Sequence, residues 1–390
     1  MTKLWRIDQK EVDLIKEVVD KGFSGESIEL FEKQFAKKFG INYAIAVNSG
    51  TSALHVAVSA IGVSAGDEVI VPPLTFAATG FAPMYLGAKP VFADVDHSTF
   101  NIDPDSIVKK ITDKTKAIIT VSLYGLPPDM DRIMAIAKEH NLKVIEDNAQ
   151  CVFGKYKGKI AGTIGDISIF SFQRSKHLTT GDGGMIITND ENLAETARKF
   201  SDLGYVTLKA SSGTHLVSKE SLQQPNFKRH ESFGYNFRLP EVCAAMGLAQ
   251  LEKLDYLVAK RVAIAQLYEK AIGDCDWLIP QKVPEGVISS YWTYVLRLDS
   301  AKKNVTWKQF REVFLKEGGE PFYGAWRLTY LEPVFGKIKL SDNSMQYSSG
   351  LCPVAESIQP YLIQLKTNFE NLDYAKKQAD VLARTVKLLD

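Results

Sequence analysis

Short apolar runs rich in β-branched residues recur between residues 43 and 188: YAIAV, DEVIVP, PVFADV, KAIITVSLYG, LKVIE, DISIFSF and GMIIT. Helical stretches separate them, and the alternation predicts an α/β domain whose helices cover a largely parallel sheet. Ligands of such sheets lie beyond the C-terminal strand ends, so the residues that follow each run are the first candidates for chemistry. Residues 205–232 break the pattern, being polar and aperiodic with a basic cluster at Lys228, Arg229 and His230; they predict a long functional loop. A helical stretch from about Pro240 to Ile272 follows, with Leu248, Leu251, Leu254 and Leu257 read as one apolar stripe, and it predicts a connector between domains. Beyond it SYWTYVLRL predicts a strand, and VTWKQFREVFLKEG and YAKKQADVLARTVKLL predict helices. For 390 residues this gives two expected domains, a large one over 1–255 and a smaller α+β one over 256–390.

Composition narrows the function. Lys and Arg number 47 against 46 Asp and Glu, a formal net charge of +1, so no global field draws in nucleic acid or an anionic membrane. Any anion site must be local. The four cysteines, Cys151, Cys243, Cys275 and Cys352, are scattered without a C-x-x-C pair and read as reduced thiols of a cytoplasmic protein, with no metal site. Charges break each apolar run of the first twenty residues, which argues against a signal peptide. The uncharged Val69–Ala88 run is interrupted by Pro72, Pro73 and Pro83 and reads as part of a soluble fold.

Three constellations carry chemistry. In VNSGTSALHVAV a strand runs through Asn48, Ser49, Gly50, Thr51 and Ser52 into a helix, and free N–H groups at such a start suit a phosphate. An ordinary capped helix start is the alternative. LKVIEDNAQ ends a strand in Glu146 and Asp147, with Gln150 close behind; an acid there can hold a pyridinium nitrogen protonated, or can be a solvated strand end. In DISIFSFQRSKHLTTGDGGMIIT a strand delivers Ser171 and a cramped turn delivers Lys176. Desolvation and nearby positive charge would make that amine a Schiff-base former, where most lysines beside glycine turns are surface residues. No G-x-G-x-x-G turn follows an early strand, which argues against a nicotinamide oxidoreductase.

The order phosphate seat, strand-end acid, lysine resembles the DegT/DnrJ/EryC1/StrS family of sugar aminotransferases. FSGESIELFEKQFA, NSGTSALHVAV, GDEVIVPPLTFAAT, GAKPVFADVD, LYGLPPDMD, EDNAQ, the SF-to-GDGG block and GYNFRLPEVCAAMGLAQLEKLD carry the likeness across nearly the whole chain. The resemblance implies a fold type I, aspartate aminotransferase-like fold using pyridoxal 5'-phosphate. It implies that Lys176 anchors the cofactor covalently, Asp147 pairs with the pyridine nitrogen, Gln150 bonds near the phenolic oxygen and Phe76 stacks on the ring. Gly50, Thr51, Ser52 and Ser171 would seat the phosphate, with Asn236 of GYNFR reaching in from the partner chain of a homodimer. The implied reaction moves an amino group from glutamate or glutamine to a nucleotide-linked keto-deoxysugar, the basic Lys228–His230 loop being a candidate for its diphosphate. A keto-cyclitol or an aminobenzoate-type precursor is the second choice of acceptor.

The chain also departs from the family pattern: Ser122 stands in SLYG where many relatives have His, and Asn148 stands in EDNAQ where Ala is common. Both are expected in the substrate pocket. PFYGAWRLTYLEPVF lacks a histidine often present at the matching place. In this family a histidine in place of the lysine gives a dehydratase. His177 directly follows Lys176, but counting back from GDGG puts Lys176 at the anchor position.

Overall fold

The computed structural model describes residues 5–211, 218–337 and 347–390. All seven apolar runs are strands: β1 (Tyr43–Val47), β2 (Glu68–Val71), β3 (Lys89–Phe92), β4 (Thr115–Val121), β5 (Lys143–Asp147), β6 (Ile167–Ser171) and β7 (Gly184–Thr188). They form one sheet in the order β1-β7-β6-β5-β4-β2-β3. β7 pairs antiparallel with both β1 and β6, and every other pairing is parallel, so β7 alone runs against the rest. Helices cover both faces, which is why the runs are continuously apolar. Successive residues still alternate: Ile45, Val47, Ile119, Ile145 and Ile169 enter one core, and Ala44, Ala46, Phe170 and Met185 enter another.

A second, antiparallel sheet has the order Leu278–Pro280, Thr293–Leu298, Leu362–Lys366, Tyr323–Gly324. The predicted helices form there over Trp307–Lys316 and Leu372–Leu389, and both pack into a separate core around Tyr268, Leu296, Phe310, Phe314 and Leu382.

The connector is two helices, Glu241–Glu252 and Leu254–Ile272, rather than one. The reason lies in the leucine spacing. Side chains three apart on a straight helix drift by about 60° per step, so four of them cover half the circumference and make no single stripe. The break at Lys253 lets Leu248, Leu251, Leu254 and Leu257 all be buried, while Lys253 Nζ reaches the buried Glu11 at 2.6 Å and Asp8 at 2.9 Å.

The aperiodic 205–232 segment is closed at its base. Tyr205 bridges His230, Val206 N–H donates to Arg229 O at 2.9 Å, and Glu231 N–H donates to Gly204 O at 2.9 Å. Within it Lys219–Gln223 is a short helix, and residues 212–217 lie outside the described residues. Among the described residues no helix is long and apolar enough to cross a membrane, and no cluster of side chains is suited to a metal ion.

Candidate functional site

A cavity of about 430 Å³ opens at the C-terminal ends of β4, β5 and β6. Its floor begins where β1 passes through Ser49 into the Gly50–Ala60 helix. Ser49 Oγ accepts from Ser52 N–H at 3.0 Å and caps the helix, and the N–H groups of Gly50 and Thr51 meet no acceptor among the described residues. Two glycines let the surrounding backbone close on this turn. A Cβ on Gly50 would lie 2.8 Å from Ser171 Cβ, and one on Gly184 would lie 2.6 Å from Ser49 O.

β5 ends in two acids that face opposite ways, as strand alternation requires. Glu146 accepts from the N–H groups of Gly162, Ile164 and Gly165 at 2.8, 2.8 and 2.6 Å, so its role is to hold a loop. Asp147 faces the cavity. Its Oδ2 accepts from Thr79 Oγ at 2.9 Å and its Oδ1 from Ala149 N–H at 3.1 Å. Burial pushes the Asp147 carboxyl above the usual carboxylate range, and these two donors together with the Lys176 charge pull the other way. A cationic ligand beside it would complete the pair.

The turn after β6 brings Lys176 into the same cavity, with Nζ 4.5 Å from the centre of the Trp292 ring. Burial lowers the amine to about 8, assisted by the Arg261 guanidinium and opposed by Asp147. His177 points elsewhere: it is fully buried, its Nε2 lies 2.9 Å from Ser290 O, and burial holds it well below the ordinary imidazole value.

Of the residues singled out in the sequence, Gly50, Thr51, Phe76, Asp147, Gln150, Ser171 and Lys176 line this one cavity. Gln150 Oε1 accepts from Tyr124 N–H at 2.9 Å, which leaves its amide N–H₂ as the group open to a ligand. Phe76 is 56% exposed and meets Trp326 edge-on at 5.6 Å. Ser52 is not in the lining; its hydroxyl donates to Asn48 Oδ1 at 2.7 Å inside the cap. Asn236 is exposed, bridges Asp202 through its backbone and does not line this chain's cavity, and neither do Lys228, Arg229 and His230.

Ser122 and Asn148, expected in the substrate pocket, do not line it. They are buried and outside the lining, and Ser122 Oγ donates to Asn148 Oδ1 at 2.7 Å. Each departs from the family pattern, and the two meet beneath the strand ends, where the Asn148 amide N–H₂ has no partner among the described residues. The C-terminal block missing a histidine contributes Trp326 to the cavity, while Tyr330 is buried with its hydroxyl on Glu356. Thr79, Trp292, Trp326 and the buried Arg261 were not singled out in the sequence. Thr79 carried a faint cue, as a hydroxyl close behind the recognised Phe76.

Fold, cavity and sequence converge on one class. The chain belongs to the DegT/DnrJ/EryC1/StrS aminotransferase family, whose model matches residues 6–378, and it is an aminotransferase. Among curated relatives it is 42% identical over 286 residues to a GDP-perosamine synthase of Escherichia coli O157:H7, covering 73% of each chain. It superposes on the aminotransferase from Psychrobacter cryohalolentis with a TM-score of 0.86, 33% identity and 98% of both chains covered. The structure of 3-amino-5-hydroxybenzoic acid synthase matches with a TM-score of 0.85 at 27% identity, covering 98% of this chain and 97% of that one.

Proposed function

We propose that the cavity holds pyridoxal 5'-phosphate and that the enzyme moves an amino group from glutamate or glutamine to the keto group of a nucleotide-linked keto-deoxysugar. The observation that carries this reading is the meeting, in one cavity, of a buried amine lowered to about 8, a buried carboxylate and the open N–H end of a helix. The donor set fits the cofactor. Gly50, Thr51 and Ser171 would hold the phosphate, Asp147 the pyridine nitrogen, Gln150 the phenolic side and Phe76 a ring face. When bound, the cofactor supplies an electron sink for electrons released at the amine-bearing carbon. Asp147 keeps the ring nitrogen protonated, and Thr79 and Ala149 N–H hold the carboxylate in place for that task. Lys176 Nζ attaches the cofactor, and once free it takes the proton from the amine-bearing carbon of the donor and delivers one to the acceptor carbon.

A dehydratase is disfavoured, because Lys176 lines the cavity and His177 is turned away onto Ser290 O. The GDP-perosamine synthase relative supports a nucleotide-linked acceptor. The aminobenzoic acid synthase match keeps a cyclic keto precursor as the second choice. A panel of nucleotide keto-sugars with glutamate, read by product mass, tests the choice. Turnover of a GDP-linked keto-deoxysugar is expected, and turnover of a keto-inositol alone overturns it. A division near residue 255 is part of this reading, with Leu328, Tyr330, Phe335 and Ile358 packing back onto the core of the large domain, as is a cytoplasmic location.

The lowered amine gives a pH prediction. Cofactor capture needs unprotonated Lys176, so the capture rate should rise with pH through a midpoint near 8 rather than near 10.5. Stopped-flow absorbance on cofactor-free protein reads it.

A homodimer with shared sites is also proposed. Asn236 is exposed, and three residues before it Phe233 is 75% exposed and meets the half-buried Tyr235 edge-on at 5.3 Å. Such a patch suits a partner surface. Lys176→Ala and Asn236→Asp should each be inactive, and refolding them together should restore activity, since one site of a mixed dimer then carries neither lesion. No rescue, with mixed dimers formed, would remove Asn236 as a phosphate ligand of the partner site.

A further inference from the structure

The turn that carries Lys176 is held from behind by two buried guanidinium groups. Arg261, on the Leu254–Ile272 helix, donates from Nη2 to Ser175 O at 2.9 Å and to Lys176 O at 3.2 Å. Its Nη1 donates to Trp292 O at 2.7 Å and to Thr367 Oγ at 3.2 Å. Arg6 reaches the same turn from the N-terminal segment, donating to Arg174 O, Lys176 O and His177 O. Both side chains are 3% exposed, and neither forms an ion pair with a carboxylate among the described residues. Buried charge without a countercharge is costly, and a turn whose carbonyls needed only satisfying could use neutral donors.

We propose that Arg261 is a positioning residue for Lys176, fixing its turn to the Trp292 and Thr367 segments so that the amine stays aimed into the cavity. The inference rests on the reading of Lys176 as the reactive amine. Trp292 closes the arrangement, because its indole N–H donates to Ser175 O at 3.1 Å while its ring lies against Lys176 Nζ at 4.5 Å. One guanidinium thus ties together the backbone below the amine and the ring beside it. The charged and titratable groups near the amine are Asp147, Arg261, Arg6 and His177, with Asp182 further along the same cavity lining. Asp147 favours the protonated amine, and Arg261 disfavours it.

The test is competitive labelling of the Lys176 amine with trace acetic anhydride in cofactor-free protein, across a pH series, read by peptide mass spectrometry. Arg261→Met removes both the charge and the fork of donors; the labelling midpoint should rise above the native one, while burial still holds Lys176 below a solvent lysine. Arg261→Lys keeps the charge but not the planar fork; the midpoint should stay while the rate of capture of added pyridoxal phosphate falls about tenfold. A purely structural role would lower the melting temperature of both variants and leave the midpoint and the capture rate of the folded protein unchanged, and that result overturns the proposal. If Arg261→Met does not fold, the capture rate of Arg261→Lys decides, and a rate within about twofold of native overturns it. Labelling does not depend on transamination. If the native protein labels at a lowered midpoint but never captures the cofactor, the proposed function fails and the positioning role stands.

Discussion

Lys176→Ala lowers turnover by about 10⁴-fold or more, since it removes both the cofactor's covalent anchor and the group that moves the substrate proton; general acid–base catalysis alone accounts for about 10² to 10⁴. Folding should survive. The contacts that hold the turn go to the backbone carbonyls of residues 174–177, and the substitution leaves those carbonyls in place. The visible absorbance of lysine-bound cofactor should disappear while the far-ultraviolet circular dichroism stays native. Activity within about tenfold of native would remove Lys176 from the chemistry.

Asp147→Asn separates electronics from binding. The amide matches the carboxylate in shape and can still accept from Thr79 Oγ, which lies 2.9 Å away in the native site. It lacks the charge that favours a protonated ring nitrogen. Turnover should fall by about 10² to 10³-fold, the range for removing one preorganised electrostatic partner, while the cofactor still binds through Lys176. The same loss with no bound cofactor would mean that Asp147 serves binding alone. Near-native turnover would take it out of the mechanism.

Much of this site was legible in the sequence because its cues are local. A strand followed by SGT, a strand ending in ED, and a strand followed within a few residues by a lysine and GDGG each fix where a side chain sits at the strand ends, and β1, β5 and β6 do carry them there. Local cues leave Glu146 and Asp147 equivalent, since alternation says that they face opposite ways without saying which face holds the cavity; the family resemblance picks Asp147, and that side chain does face the cavity. Ser122 and Asn148 lie outside the pocket for a reason that neither position shows alone. Across 26 residues of chain they form one hydrogen bond, and a paired change is invisible at either position separately. Trp292 and Arg261 lay beyond local reading for a similar reason. They act on the lysine turn across 117 and 85 residues, and in the sequence Trp292 looked like part of a strand and Arg261 like a charge on a helix. The one-stripe reading of the connector leucines does not hold, since leucines three apart cannot keep one face of a straight helix, and the stretch breaks at Lys253.

Reduction of the cofactor-loaded protein with borohydride, followed by peptide mapping, bears most directly on the central claim that Lys176 is the amine around which the reaction is built. The phosphopyridoxyl mass should appear on Lys176 and should be lost when excess glutamate is added before reduction. A mass that persists on another lysine, or a protein that acquires none while it still aminates a keto-sugar, would contradict the account.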